Sequence, residues 1–373
     1  MRKLKVFVVC SGLGQIRRGY ESFFRECFDA LRNEALLDMF LFKGNGANNG
    51  KEICLWNLSR RSRAANCLGK MVGRGGYFVE QLTFLMSLLP HILFRKPDVI
   101  YVSDVVLANF IRLFRIYMHG NYRVLFNNNG PVLPQLLFRW DHIQQVSPQY
   151  LNAGMEVGVP QDKQTLLPSA VDISELFVPL RGVNKDNLRK DLGLPQGRLI
   201  ILSVGAINKR RKRMDYVIRE VAKLQKPRPF LLLLGQIESD TQEIVDFGNR
   251  MLSEEGFSVR TVTRDKVKNY YRAADLFTLA SLDEGFGLAY LEALSSGLPC
   301  LVHDYETSRF VLGKMGYYED MSQVGGLRNL IISLSEKDFD TEIAIARHAY
   351  AYNRFSWDYL KPKYVELFHL CAG

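Results

Sequence analysis

Unbroken apolar runs alternate with helix-period segments along this entire chain, and the alternation restricts it to one fold class. The runs fall at 4–9, 37–42, 98–102, 123–127, 142–146 and 164–168 in the first half, and at 199–204, 230–235, 257–262, 275–280 and 299–303 in the second. Strands apolar on both faces belong to parallel sheets covered by helices, so the pattern predicts α/β architecture built of βαβ units. Helical patterns such as 19–32 and 105–118 lie between the strands. The strands form two sets, parted by a stretch rich in Pro, Gly and charge at 169–198. We expect two Rossmann-like, doubly wound domains, at 1–170 and 171–355, and a closing helix at 356–373. Ligands of such sheets bind outside the carboxyl ends of the strands, so tandem domains are expected to face one cleft.

With 373 residues, 47% of them hydrophobic and 24% charged, the chain has the composition of a folded two-domain protein and not of a disordered one. Its six cysteines make no CxxC pair or regular framework, which fits reduced thiols and a cytoplasmic setting. The apolar run after the basic start is too short for a signal peptide and reads as a first strand. The stretch 84–94 is too short to span a bilayer and is interrupted by Pro90 and His91. The net charge is +10, and residues 1–170 hold 21 Lys and Arg against 12 Asp and Glu. The first half therefore suits an anionic partner: a phosphorylated small molecule, a lipid head group or an anionic membrane surface. Residues 44–76 read as an irregular, basic, glycine-rich insertion.

The chemistry concentrates at 283–300, "DEGFGLAYLEALSSGLPC". A strand ends before it, a turn carries Gly285 and Gly287, and a helix follows, closed by Gly297 with Pro299 beyond. A helix N-terminus with glycines in front of it is an anion site. Glu284 stands outside that end, and Glu292 sits about 7–8 Å along the axis from Gly287. Two carboxylates so placed can accept hydrogen bonds from sugar hydroxyls on either side of a diphosphate. Glu292 is the only charge between Gly285 and Cys300. A carboxylate in an apolar run is held for a ligand or for a salt bridge, and the ligand is favoured here over a surface position.

Glu284, seven residues and Glu292, in the frame "EGFGLAYLEALSSGLPC", resemble the signature of the family 4 retaining glycosyltransferases. The segments "LIILSVGAINKRRKRMDYVIREVAKL", "VKNYYRAADLFTLAS" and "NRFSWDYLKPKYVELF" extend the resemblance over most of the chain. It implies the GT-B architecture and a hexosyltransferase acting on a nucleotide-diphosphate sugar with retention; no metal or other cofactor is expected. Glu284 would then contact the donor sugar. Gly285, Phe286, Gly287 and Leu288 would offer backbone amides to it and to the diphosphate, and Glu292 would bind the ribose. Lys212, in "KRRKR" at 209–213, matches the family's diphosphate-binding lysine. A solvated charge run is the plain alternative for that stretch, and a nucleic-acid patch another. Gly19 would lend an amide from the first domain, and Arg17 and Arg18 charge. The base pocket is expected around Val262 and Arg264 and after Gly235. No residue there selects among bases, and UDP is taken as the leading donor.

Two positions depart from the family. Ala206 follows Gly205 where an arginine is common, so one diphosphate contact is missing or is replaced from Lys209, Arg210 or Arg211. Asn127, Asn128 and Asn129 fill the place of a histidine near the donor sugar, with Asn129 the nearest counterpart. An asparagine can bond a hydroxyl but cannot act as a general base. These departures keep two other readings open, a catalytically silent nucleotide-sugar-binding protein and a nucleotide-sugar epimerase on the same fold. The six histidines show no metal-ligand spacing, and no nucleic-acid module is present. The acceptor is expected to be a hydroxyl compound: a glycan, a small molecule, or a lipid or lipid-linked one reached from the inner face of a membrane.

Overall fold

The computed structural model describes the chain except for residues 1, 17–18, 175–178 and 180–181 and the side chain of 183. Two compact units divide it. The first comprises Met1–Asp172 with Trp357–Gly373, and the second Ile173–Ser356.

The first unit holds a seven-stranded parallel sheet of β1 (Leu4–Cys10), β2 (Leu37–Lys43), β3 (Glu52–Cys54), β4 (Val99–Val102), β5 (Arg123–Asn128), β6 (His142–Gln145) and β7 (Gln164–Leu166), in the order β3-β2-β1-β4-β5-β6-β7. Five helices follow in chain order: α1 (Gly19–Leu31), α2 (Arg63–Met71), α3 (Gly76–Arg95), α4 (Val105–Met118) and α5 (Pro148–Glu156). The second unit holds β8 (Ile200–Val204), β9 (Phe230–Leu234), β10 (Phe257–Arg260), β11 (Leu276–Leu279), β12 (Cys300–His303) and β13 (Gly316–Glu319), all parallel, in the order β10-β9-β8-β11-β12-β13. Its helices are α6 (Gly182–Asp191), α7 (Met214–Ala222), α8 (Thr241–Leu252), α9 (Arg264–Ala273), α10 (Leu288–Ser295), α11 (Glu306–Leu312), α12 (Gly326–Ser333) and α13 (Thr341–Phe355). The last helix, α14 (Trp357–Ala372), belongs to the first unit.

Every strand expected from the sequence is present, and the central ones are buried throughout, as parallel strands covered on both faces must be. Two further strands, β3 and β13, close sheet edges. The stretch 44–76 is therefore not an irregular insertion. It carries β3, paired with β2 through Leu41, Phe42 and Lys43, and α2, packed against α3. Glu52 pins β3 by accepting from Lys43 Nζ at 2.9 Å and Arg25 Nη2 at 2.7 Å.

The segment 84–94 also differs from expectation, because the helix runs through Pro90 to a full 20 residues. By length and composition alone α3 could cross a membrane. Here its inner side, Phe84, Leu85, Leu88 and Ile92, joins the core of the first unit. The other face of the first sheet is covered by α1 and α14. Phe23 stacks on Trp357, and Tyr364 donates to the Pro168 carbonyl at 2.8 Å while accepting from Gln144 at 2.9 Å.

Candidate functional site

In the second sheet β8 and β11 are neighbours, with Ile201 beside Leu276 and Leu202 beside Phe277. The strand order runs outward from this pair in opposite directions, so the space outside their carboxyl ends is the topological switch point where such sheets bind ligands. The loops leaving these two strands carry both sequence-predicted catalytic residues of this unit.

After β8 the chain passes Gly205 and Ala206 into "INKRRKR". Asn208 shapes this loop: its side-chain oxygen accepts from the backbone N–H of Arg211 and of Lys212, both at 2.9 Å. Its amide nitrogen donates to Glu238 at 2.9 Å. The five cations then part company. Lys209 pairs with Glu243 on α8. Arg213 lies over the Tyr216 ring and donates to the Met321 carbonyl at 2.6 Å. Arg210 and Arg211 are exposed. Lys212 turns inward across Gly205, where an added Cβ would stand 3.0 Å from its Cε, and its ammonium pairs with the Glu284 carboxylate. Glycine is also required at 235, where a Cβ would lie 1.6 Å from the Gly205 carbonyl oxygen. The loops after β8 and β9 are thus backbone to backbone.

After β11 the chain presents buried Glu284, then Gly285, Phe286, Gly287 and Leu288. Phe286 is buried against Phe355. Gly287 caps α10 in the left-handed region at φ 81°, and a Cβ there would meet the Tyr290 ring at 2.3 Å, so only glycine fits. The first turn of α10 opens beyond it, with Leu288 its first residue.

Glu292, one to two turns along α10, is mostly buried. Its Oε1 pairs with Arg264, at the start of α9, and its Oε2 accepts from the Tyr271 hydroxyl at 2.9 Å. Tyr271 is fully buried, and burial together with the neighbouring Glu292 charge holds its phenol well above the usual range. Of the two reasons for a carboxylate here, a salt bridge and a ligand, the geometry supplies the first, through a residue expected at the base pocket. Val262 is half-buried beside it, and Thr261 ties its loop to the preceding one by donating to the Gly235 carbonyl at 2.6 Å. Tyr271 was not singled out from the sequence. Its signal was an aromatic with a polar tip on the buried side of an otherwise charged helix, where a hydroxyl needs a partner.

In the first unit Gly19 opens α1. Arg17 and Arg18 lie outside the described residues. The three asparagines have separate tasks. Asn127 is buried in the sheet, donating to Tyr101 Oη at 2.8 Å and Gln144 Oε1 at 2.9 Å, and Asn128 donates to Gln145 at 2.7 Å. Only Asn129 lies past the strand end, accepting from Ser103 Oγ at 3.2 Å. Among the described residues no group of three His, Cys, Asp or Glu side chains is arranged to hold a metal.

Residues 184–353 match the model of the family described as glycosyl transferases group 1. Alpha-galactosylglucosyldiacylglycerol synthase of Streptococcus pneumoniae is 29% identical over 207 residues, 52% of this chain and 53% of that protein. D-inositol 3-phosphate glycosyltransferase of Nocardia farcinica is 29% identical over 156 residues, 39% of this chain and 34% of that one. The chain spans about half the length of the first curated relatives it matches. Among solved structures, sucrose-phosphate synthase from Thermosynechococcus elongatus superposes with a TM-score of 0.80 at 16% identity, covering 99% of this chain and 98% of that one. Anabaena Alr3699/HepE in complex with UDP-glucose gives 0.75 at 13% identity, covering 98% and 99%. At such identities the superpositions speak to the fold, which is GT-B. A group 1 segment lies within the second unit and the GT-B fold extends over the whole chain, so the protein is similar to the family 4-like glycosyltransferases.

Proposed function

We propose that the chain moves a sugar from a nucleotide-diphosphate donor to a hydroxyl acceptor with retention at the anomeric carbon. The observation that carries this reading is the Lys212–Glu284 pair at the switch point, a cation and an acceptor held together beside the N-terminus of α10. In this reading the Lys212 ammonium offsets charge on the departing diphosphate, with Gly205 leaving it room and exposed Arg211 adding charge. The backbone N–H groups of Gly285, Phe286, Gly287 and Leu288 face the diphosphate and sugar. Glu284 accepts from hydroxyls of the sugar and Glu292 from those of the ribose, with the base over Val262. In the first unit, Gly19 and Asn129 are the residues that the family resemblance assigns to the donor. The leaving phosphate oxygen takes the acceptor's proton, so the exchange of a histidine for Asn129 does not remove a needed base, and no metal is required.

UDP is the first donor to test, because the solved neighbour Alr3699/HepE is described in complexes with UDP, UDP-glucose, and UDP and glucose. The acceptor class we favour is a lipid or lipid-linked alcohol, at the inner face of a membrane. Relatives named diacylglycerol synthases and a galactosyltransferase acting on a diphosphoundecaprenol support it. Calorimetric titration with UDP, GDP, ADP and dTDP tests the reading. Binding of one nucleotide, lost in Glu292→Ala, is the expected result, and no binding of any would sink it. Anomer analysis of a transfer product then checks retention. Ala206 and the Asn129–Ser103 contact favour one rival, a silent binder that holds nucleotide sugar and transfers it to no acceptor.

A further inference from the structure

The outer side of α3 is built against the rule for a solvent-facing helix. From 82 to 94 its exposed positions are all apolar: Leu82, Met86, Pro90 and Leu93 recur every three or four residues, and Phe94 follows. Met86 is 61% and Phe94 86% exposed. The inner side of the helix is apolar as well, since it packs on the sheet. A helix of a globular protein ordinarily turns charge to water on such a face. Both neighbours that pack on α3 also expose apolar side chains. Met71, 78% exposed, lies at the end of α2, and Ile116 and Tyr117, the latter 79% exposed, lie near the end of α4. A stripe of exposed apolar side chains along one helix face marks an interaction site.

Charge says what covers it. Residues 53–140 hold 11 Lys and Arg against three acids. Those acids are all engaged: Glu80 is buried against Arg60, Asp98 pairs with Arg2, and Asp104 caps α4 and accepts from Tyr77. Exposed cations flank the apolar stripe, Arg63 and Lys70 on the packed helix α2, Arg74 just before α3, and Arg95 and Lys96 at its close. A second copy of this chain would bring cations against cations. A surface that takes apolar side chains and also attracts cations is an anionic bilayer.

We infer that the outer face of α3 docks on an anionic membrane surface, Met86 and Phe94 entering the acyl boundary while the flanking arginines and lysines meet head groups. The apolar outer face of α3 carries the docking, and the charge of 44–76 supports it. This inference is independent of nucleotide binding in the second unit.

Flotation of the full chain with phosphatidylcholine vesicles, with and without phosphatidylglycerol, tests it. The expected result is flotation with the anionic vesicles, at least tenfold less with neutral ones, and weakening at high salt. The double variant Met86→Glu, Phe94→Glu should stay in solution while its circular dichroism and its UDP titration match the wild type. Phe94→Ser, at a position too exposed to disturb the core, should lower flotation several-fold and serves if the double variant misfolds. Wild type that stays in solution with anionic vesicles, or variants that float as well as wild type, would overturn the inference. So would a wild-type dimer that Phe94→Glu separates, which would give the face to a second copy. A failed UDP titration with intact flotation would instead count against the donor reading alone.

Discussion

Lys212 and Glu284 stand 72 positions apart in the chain, and the fold joins them as an ion pair where β8 and β11 end side by side. Each keeps the other neutralised in a place with little access to water. Removing either charge strands its partner, and that sets up the first test.

Lys212→Ala and Glu284→Gln should each lower stability by about 1–3 kcal/mol in denaturant unfolding, because a partly buried charge loses its counter-ion. Their effects on ligand binding should differ. Lys212→Ala should weaken UDP by about tenfold or more, and Glu284→Gln should leave UDP within a few-fold while abolishing transfer of the sugar.

Tyr271→Phe removes the hydroxyl that donates to Glu292 Oε2 and keeps the ring in its buried slot. Loss of one such bond to a charged group corresponds to about 1.5–3 kcal/mol, part of which should appear as weaker nucleotide binding. Titration of UDP against its 2′,3′-dideoxy analogue tests this directly. Wild type should prefer UDP, and Tyr271→Phe should prefer it less.

Gly235→Ala forces a Cβ into the Gly205 carbonyl oxygen, a collision with backbone that no side-chain rotation relieves. The loops after β8 and β9 must separate. We expect a loss of about 2 kcal/mol or more in thermal unfolding, together with loss of UDP binding. Gly197→Ala, where nothing lies within 4 Å but φ is positive, is the control for backbone strain alone.

Glu52 gives the pH test. Hydrogen bonds from Arg25 and Lys43 outweigh burial and hold its carboxyl at about 2, below its ordinary 4.5. The folded value is depressed, so the stabilisation is fully present above about pH 4.5 and is lost as pH falls toward 2. Its full size is on the order of 3 kcal/mol. Urea unfolding of wild type and Glu52→Gln should diverge near neutral pH and converge over that window. Equal pH slopes in the two proteins would refute the assignment.

The sequence displayed the fold where burial on both faces writes long apolar runs, as in β4, β9 and β11. It hid β3 because the strand has three residues and one is the charged Glu52, whose partners Arg25 and Lys43 come from other elements. It hid β13, "GYYE", because an edge strand need not be apolar on both faces. In the candidate site the positions of Glu284 and Glu292 could be read from the helix and its glycines, which are local. Their partners could not, because Lys212 and Arg264 reach them only through the winding of the sheet. "KRRKR" is the clearest case: five adjacent cations read as one patch, and Asn208 at the turn sends Lys209, Lys212 and Arg213 to three different places.

The position of α14 has a consequence for synthesis. Trp357, Tyr364 and Phe368 complete the layer over Phe23 and Tyr101, yet they leave the ribosome after the whole second unit. The unit that is translated first is therefore the last to be finished. Until α14 arrives, Phe23 and Tyr101 lack their cover, and the nascent chain carries that exposed aromatic surface while 184 intervening residues, 173–356, are made. A chain stopped at Ser356 should keep a folded second unit and hold its first unit open to chaperones.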